Sequence, residues 1–293
     1  MLALSDWTLS AEVTLPLAAA LLLYATGFAR MWRRAGRGRS ALGRSAFLFG
    51  AGWLSLAGAL TSPLHEGGEH SFALHMIEHE IIMLVAALLL VAARPGPVLL
   101  WAFPAGPRHG LAAAARWPLW SGLANPFVAT AIQSAVMVGW HAPPLFDLAL
   151  ESEGWHIVQH LCFIGAALLF WWAMLHNGGR AGRLVAALCL FVTSMVGGGL
   201  GALMALSNNP WYAPYAALGL TPAGLTPAED QQLAGLIMWI PGGLYHLAAA
   251  LWFLARGLGD SAQEGLDQGP ADREQAAQRD ERAEPRLPAP VLR

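Results

Sequence analysis

Residues 75–93 read HMIEHEIIMLVAALLLVAA. A head with two histidines, two glutamates and a methionine runs without interruption into an apolar stretch. Together they have about the ~20-residue length of a helix that crosses a hydrocarbon core. Ionisable groups inside such a helix are costly, so they face protein or a polar cavity and mark functional positions. The segment therefore sets two expectations: the chain lives in a membrane, and one end of this helix carries chemistry.

The rest of the chain agrees with the first expectation. It has 293 residues, 56% apolar and 12% charged, with 13 tryptophans. Soluble domains carry roughly 25% charged residues. Apolar runs place seven spans at 12–29, 45–63, 72–93, 124–141, 156–175, 184–206 and 232–255. The fold class is an all-α polytopic membrane bundle over residues 1–258, followed by a polar, proline-rich tail at 259–293 without an apolar period, which reads as disordered. LAAAARWPLWSGL at 111–123 is too short and too interrupted by Pro118 to span, and reads as interfacial. Met1–Ser10 has no basic residue, against a cleavable signal peptide, so the first span acts as its own insertion signal. The formal charge of −2 and the absence of a polybasic segment offer nothing to nucleic acid.

All 17 basic residues are arginines, and they alternate with the spans. Arg30, Arg33, Arg34, Arg37, Arg39 and Arg44 lie between the first two. Arg94, Arg108 and Arg116 follow the third, Arg180 and Arg183 the fifth, and the remaining arginines, from Arg256 onward, the seventh. The loops 64–71, 142–155 and 207–231 have none. The positive-inside rule then puts the N-terminus outside and the C-terminal tail in the cytoplasm.

This topology places seven of the ten histidines at the outer leaflet or just above it: His65, His70, His75, His79, His141, His156 and His160. At ~100° per residue, His75, Met76, His79 and Met83 share an arc of about 100°. HIVQH puts His156 and His160 one turn apart on a second helix, and GWHAPP brings His141 to the same depth. Paired histidines at i and i+4 are the spacing by which one helix offers two imidazoles to one ion. The expected metal ligands are His75, Met76, His79, His141, His156 and His160. Imidazole with thioether favours copper, Cu(I) in particular, over metals that prefer hard oxygen ligands. Glu78, Glu80, Asp147, Glu151, Glu153, Glu229 and Asp230 are carboxylates on the same side. Cys162 and Cys189 differ too much in depth for a disulfide and read as packing residues.

Plainer readings stand beside these. Histidines also bond across helices as polar glue, and Met83, Met137 and Met195 taken singly are core residues. VGGGLG at 196–201 reads as a close helix contact, NNPWYAPY at 208–215 as an interfacial aromatic anchor, and Pro241-Gly242-Gly243 as a kink in the last span. His246 suits either polar glue or a deeper ligand.

Taken together, HMIEHEIIMLVAALLLVAARP, GWHAPPLFDLAL, HIVQHLCFIGAALLFWW, MALSNNPWYAPY and EDQQLAGLIMWIPGG resemble the multi-span caa3-type cytochrome c oxidase assembly factors (CtaG) over residues 45–255. Glu80 and the lack of a proline after Ala87 depart from the pattern of some members. The resemblance implies a bacterial inner-membrane assembly factor that is not an enzyme. Its partners would be oxidase subunits, the lipid bilayer and a periplasmic copper donor. It also implies a role for the six ligands above, facing the periplasm. Two other classes stay open. A seven-span zinc hydrolase would use three imidazoles and a carboxylate base such as Glu80 or Asp147. A b-type haem or quinol protein would use His79 and His160 as axial ligands.

Overall fold

Each of the seven apolar runs folds into a helix, because a backbone in hydrocarbon satisfies its own N–H and C=O groups that way. The computed structural model describes residues 7–36, 38–114 and 117–267, with side chains through residue 259. Helices α1 (Ala11–Trp32) and α2 (Arg39–Thr61) come first, then the short α3 (Pro63–Gly68) and the long α4 (Phe72–Ala92). Three short helices, α5 (Gly96–Trp101), α6 (Ala105–Ala114) and α7 (Pro118–Leu123), lead to α8 (Pro126–Trp140). The chain continues through the short α9 (Pro143–Glu151), the long α10 (Glu153–His176) and α11 (Gly179–Ala205), the short α12 (Ala213–Leu218), and α13 (Pro227–Asp267).

Five helices, α1, α4, α10, α11 and the first part of α13, are long and apolar enough to cross a membrane. No strand occurs among the described residues, so the chain is an all-α polytopic membrane bundle. Helix α8 has 15 residues, about 22 Å at 1.5 Å per residue. Helices α6 and α7 bury no residue among those described, which accords with an interfacial segment at 111–123. The last helix runs past Gly259 to Asp267, so the start of the expected disordered tail is helical. Residues 1–6, 37, 115–116 and 268–293 lie outside the described residues. Cys162 and Cys189 are free thiols.

The arginines gather at one end of the bundle. Arg30 donates to the Trp101 and Ala102 carbonyls at 3.2 and 2.7 Å, and Arg34 and Arg108 stack on the Trp101 ring. Arg183 donates to the Arg256 carbonyl. The histidine-rich head of α4 begins at the opposite end.

Two contacts fix how that head is held. Helices α11 and α13 cross glycine on glycine: a Cβ on Gly201 would lie 2.7 Å from the Gly235 carbonyl oxygen, and one on Gly235 would lie 2.5 Å from that of Gly201. Small residues let backbones approach this closely in a membrane. From the first turn of α13, the buried Asp230 reaches the N-terminus of α4. It accepts hydrogen bonds from the Ser71 hydroxyl at 2.8 Å and the Phe72 amide at 2.6 Å, while Ser71 accepts from Leu74. A carboxylate at unpaired helix-start amides is favoured by hydrogen bonding and by the helix dipole. Asp230→Ala is expected to cost about 1–3 kcal/mol, since it strips the partner from buried donors. The thermal midpoint of the purified protein in detergent checks this, with Asp230→Asn falling less.

Inside α4, regular α-helix ends at Glu80, and Ile81–Ala86 form a π segment before α-helix resumes at Ala87. Its wider turn changes which face the later residues present. Such segments occur frequently at functional sites.

Candidate functional site

The loop between α2 and α4 folds back as α3, started by Pro63 at its first turn and by Ser62, whose hydroxyl accepts from the Leu64 amide. Gly68 lies against α4, where a Cβ would come within 3.3 Å of the His75 Cα. This approach brings His65 over the head of α4, with Nδ1 2.8 Å from the Glu78 carboxylate. From α10, His160 Nε2 reaches the same Glu78 oxygen at 3.2 Å. The ligand atoms of His65, Glu78 and His160 lie within 4.8 Å of one another, a spacing that suits one metal ion. The pKa of His65 is raised above the ordinary histidine value, chiefly by its hydrogen bond to Glu78, while burial opposes the rise.

Directly beside this triad are His75, His79 and His156. His75 and His79 meet Nε2 to Nε2 at 3.0 Å. Two nitrogens on one tetrahedral ion, at bonds of ~2.05 Å, would be about 3.3 Å apart. The His75 ring is 5.3 Å from that of His156, and the His79 ring 5.1 Å from that of His160. His156 stacks on His65 at 5.5 Å. Five imidazoles from three helices and one carboxylate thus form one cluster.

Hydrogen bonds set which ring nitrogens are bare. The buried Tyr215, from α12, donates its hydroxyl to the Gly68 carbonyl and lies 3.0 Å from His75 Nδ1. Burial pushes its pKa up, so the phenol keeps its proton. His75 Nδ1 then donates to the phenol oxygen, and its Nε2 carries a lone pair. His79 Nδ1 and His156 Nε2 are buried without a hydrogen-bond partner. Unpaired buried polar atoms are expensive, and clusters of them mark places built for something else to bind.

His141 lies near His79 but makes no ring contact with the five imidazoles. Its Nδ1 donates to the Met137 carbonyl at 2.6 Å, and its Nε2 is buried and unpartnered. Phe146 and Phe163 lie beside it, each 5.9 Å away between ring centres. Met76 packs into the neighbouring apolar cluster with Phe72, Met137, Phe146, Met204, Tyr212 and Met238. Of the six expected ligands, the structure therefore gathers His75, His79, His156 and His160, places His141 near His79 beside Phe146 and Phe163, and buries Met76 in a cluster shared with Met137 and Met238. His65 and Tyr215 join the site without having been expected there. The HEGGEHS loop carried a signal for His65. Tyr215 bonds into the site and Tyr212 packs on Phe72 and Phe146 beneath it, both buried, so NNPWYAPY does more than anchor an interface. Tyr212 donates to the His141 carbonyl at 2.9 Å.

A cleft of about 830 Å³ opens onto His65, His75, His156 and His160, and Glu12, Glu69, Glu151 and Glu153 also line it. An acidic mouth concentrates cations. The other carboxylates considered as a hydrolytic base point elsewhere. Glu80 turns toward Gly242, and Asp147 accepts from the Ala213 amide. The His79 and His160 rings, 5.1 Å apart with the His75 ring 4.3 Å from that of His79, leave no plane for a porphyrin between them.

Neither the curated proteins nor the solved structures include a match to this chain. The model of one family, described as the cytochrome c oxidase caa3 assembly factor, matches residues 22–258. That span contains the HMIEHE segment of α4, the histidine pair of α10, and both Tyr212 and Tyr215. The chain belongs to the caa3-type cytochrome c oxidase assembly factor family (CtaG).

Proposed function

We propose that this family member binds copper at the imidazole cluster and passes it to a subunit of haem-copper oxidase during maturation. The observation that carries the reading is the cluster of five imidazoles around Glu78, two of them bonded to its carboxylate, with bare, buried nitrogens on His79 and His156. Neutral imidazole suits copper and zinc alike, and the role of the family in assembling a copper enzyme favours copper. Copper here is cargo: it enters from the acidic cleft and leaves to the oxidase. The arginine distribution supports a periplasmic opening in the bacterial inner membrane, reachable by a copper donor on that side. Glu78, held by two imidazoles, is poorly placed to act as a free base, which favours an assembly role over hydrolysis.

The test is made in cells whose only copy of the protein is His75→Ala/His79→Ala. Cytochrome c oxidase activity is expected to fall at least tenfold at limiting copper and to recover in part when copper is added. Full oxidase activity at limiting copper would overturn the proposal.

A further inference from the structure

Below the imidazole cluster, with the π segment in its wall, lies a second cavity that the first site does not use and that holds several polar groups. Its walls come from α4, α8, α11 and α13, and include Glu80, Met83, Gln133, Met137, Met238 and His246. Methionines 83, 137 and 238 are each at most 5% exposed. Glu80 Oε2 and Gln133 Oε1 are buried and have no hydrogen-bond partner. His246 Nδ1 donates to the Gly242 carbonyl at 2.9 Å, which leaves Nε2 as its bare nitrogen.

The glycines around it make room for these groups. A Cβ on Gly242 would come 2.7 Å from Glu80 Oε2, and one on Gly197 would touch the Met137 sulfur at 3.4 Å. Pro241-Gly242-Gly243 therefore accommodates a carboxylate, within a helix that continues through the proline.

We infer that this cavity is a second metal site, which takes a single dehydrated Cu(I) ion deeper in the membrane than the imidazole cluster. The inference deepens the copper reading above and rests on it for the identity of the cargo. Three arguments support it. The first is ligand type: three thioethers are soft donors that select Cu(I) over zinc and over hard cations, and an imidazole beside them suits copper as well. The second is charge. One carboxylate neutralises a monovalent ion, whereas a divalent ion would leave a net positive charge in a low-dielectric interior. The third is size. The cavity, about 20 Å³, has room for one water-sized body, too little for a cation that keeps its hydration shell. The two sites share α4: His79 ends the upper set and Glu80 begins the lower one.

The experiment uses the full-length protein in detergent, titrated anaerobically with Cu(I) against a chromophoric Cu(I) chelator, with X-ray absorption at the copper edge. Wild type is expected to bind two ions with mixed nitrogen and sulfur scattering. His75→Ala/His79→Ala should retain one ion, bound mainly by sulfur. Met83→Leu/Met238→Leu, which nearly conserves volume, should retain one ion without sulfur scattering. Glu80→Gln should weaken the sulfur-bound ion by about tenfold or more, and thermal unfolding establishes that each variant is folded. One ion bound by nitrogen alone in wild type, or sulfur scattering unchanged in the methionine variant, would overturn this inference and leave the upper site standing. No bound copper in any form would overturn both.

Discussion

Glu78→Gln is expected to weaken copper binding by about 10–100-fold, and to lower the thermal stability of the protein as well. The glutamate is 1% exposed and holds His65 and His160 at 2.8 and 3.2 Å. The amide keeps the shape and removes the negative charge, so the imidazoles lose the group that orients them and offsets the charge of a bound cation. Groups that orient metal ligands contribute affinity on this scale. Removing one partner from a buried charged cluster costs about 3–5 kcal/mol. Chelator competition reads the first effect and thermal unfolding in detergent the second. His70→Ala is the control, because His70 is exposed and lies outside the cluster, with its Nδ1 near the Glu66 carbonyl at 3.2 Å. An unaltered affinity in Glu78→Gln would remove the carboxylate from the site.

Gly235→Val is expected to abolish the folded protein. A Cβ there would meet the Gly201 carbonyl oxygen at 2.5 Å, the Ala205 amide at 2.6 Å and the Met204 Cβ at 3.0 Å. Two of these obstacles are backbone, which cannot rotate away, so α11 and α13 must separate. Separation would pull Asp230 from the start of α4 and open the wall that carries Met238 and His246. Overpacking commonly costs about 1–3 kcal/mol and more where backbone must move. Gly199→Val, on the α11 glycine run that contains Gly201 but with nothing within 4 Å of its Cβ, should accumulate like wild type. Yields of monodisperse protein after detergent extraction compare the two.

Much of the architecture was legible because membrane burial writes itself as length. Each of the seven apolar runs corresponds to a helix, five of them long and apolar enough to span, and two of the arginine-bearing loops meet around Trp101 at the end away from the histidines. The histidine pairs of α4 and α10 were legible by their one-turn spacing, and they do meet. Positions past Glu80 were not, because Ile-Ile-Met-Leu-Val-Ala carries no signal for a π turn. An ideal helical wheel keeps Met83 on the face of His79, whereas the structure puts it in the lower cavity beside Gln133, whose amide lies 3.9 Å from its sulfur. Met76 was lost for a related reason: at the edge of the arc, a residue goes where apolar neighbours are, and Phe72 and Phe146 were there. The two tyrosines required a tertiary fact, the return of the 207–231 loop across α4. Gln231, which accepts from the Trp211 amide at 2.6 Å and donates to the Asn209 carbonyl at 3.1 Å, fixes that return.

The most direct test of the copper assignment is the metal content of the protein purified from cells supplied with both copper and zinc, measured for wild type and for His75→Ala/His79→Ala. Copper retained by wild type and reduced in the double variant, with zinc near background in both, is the predicted result. Stoichiometric zinc in wild type, or copper content unchanged by the double substitution, would contradict it.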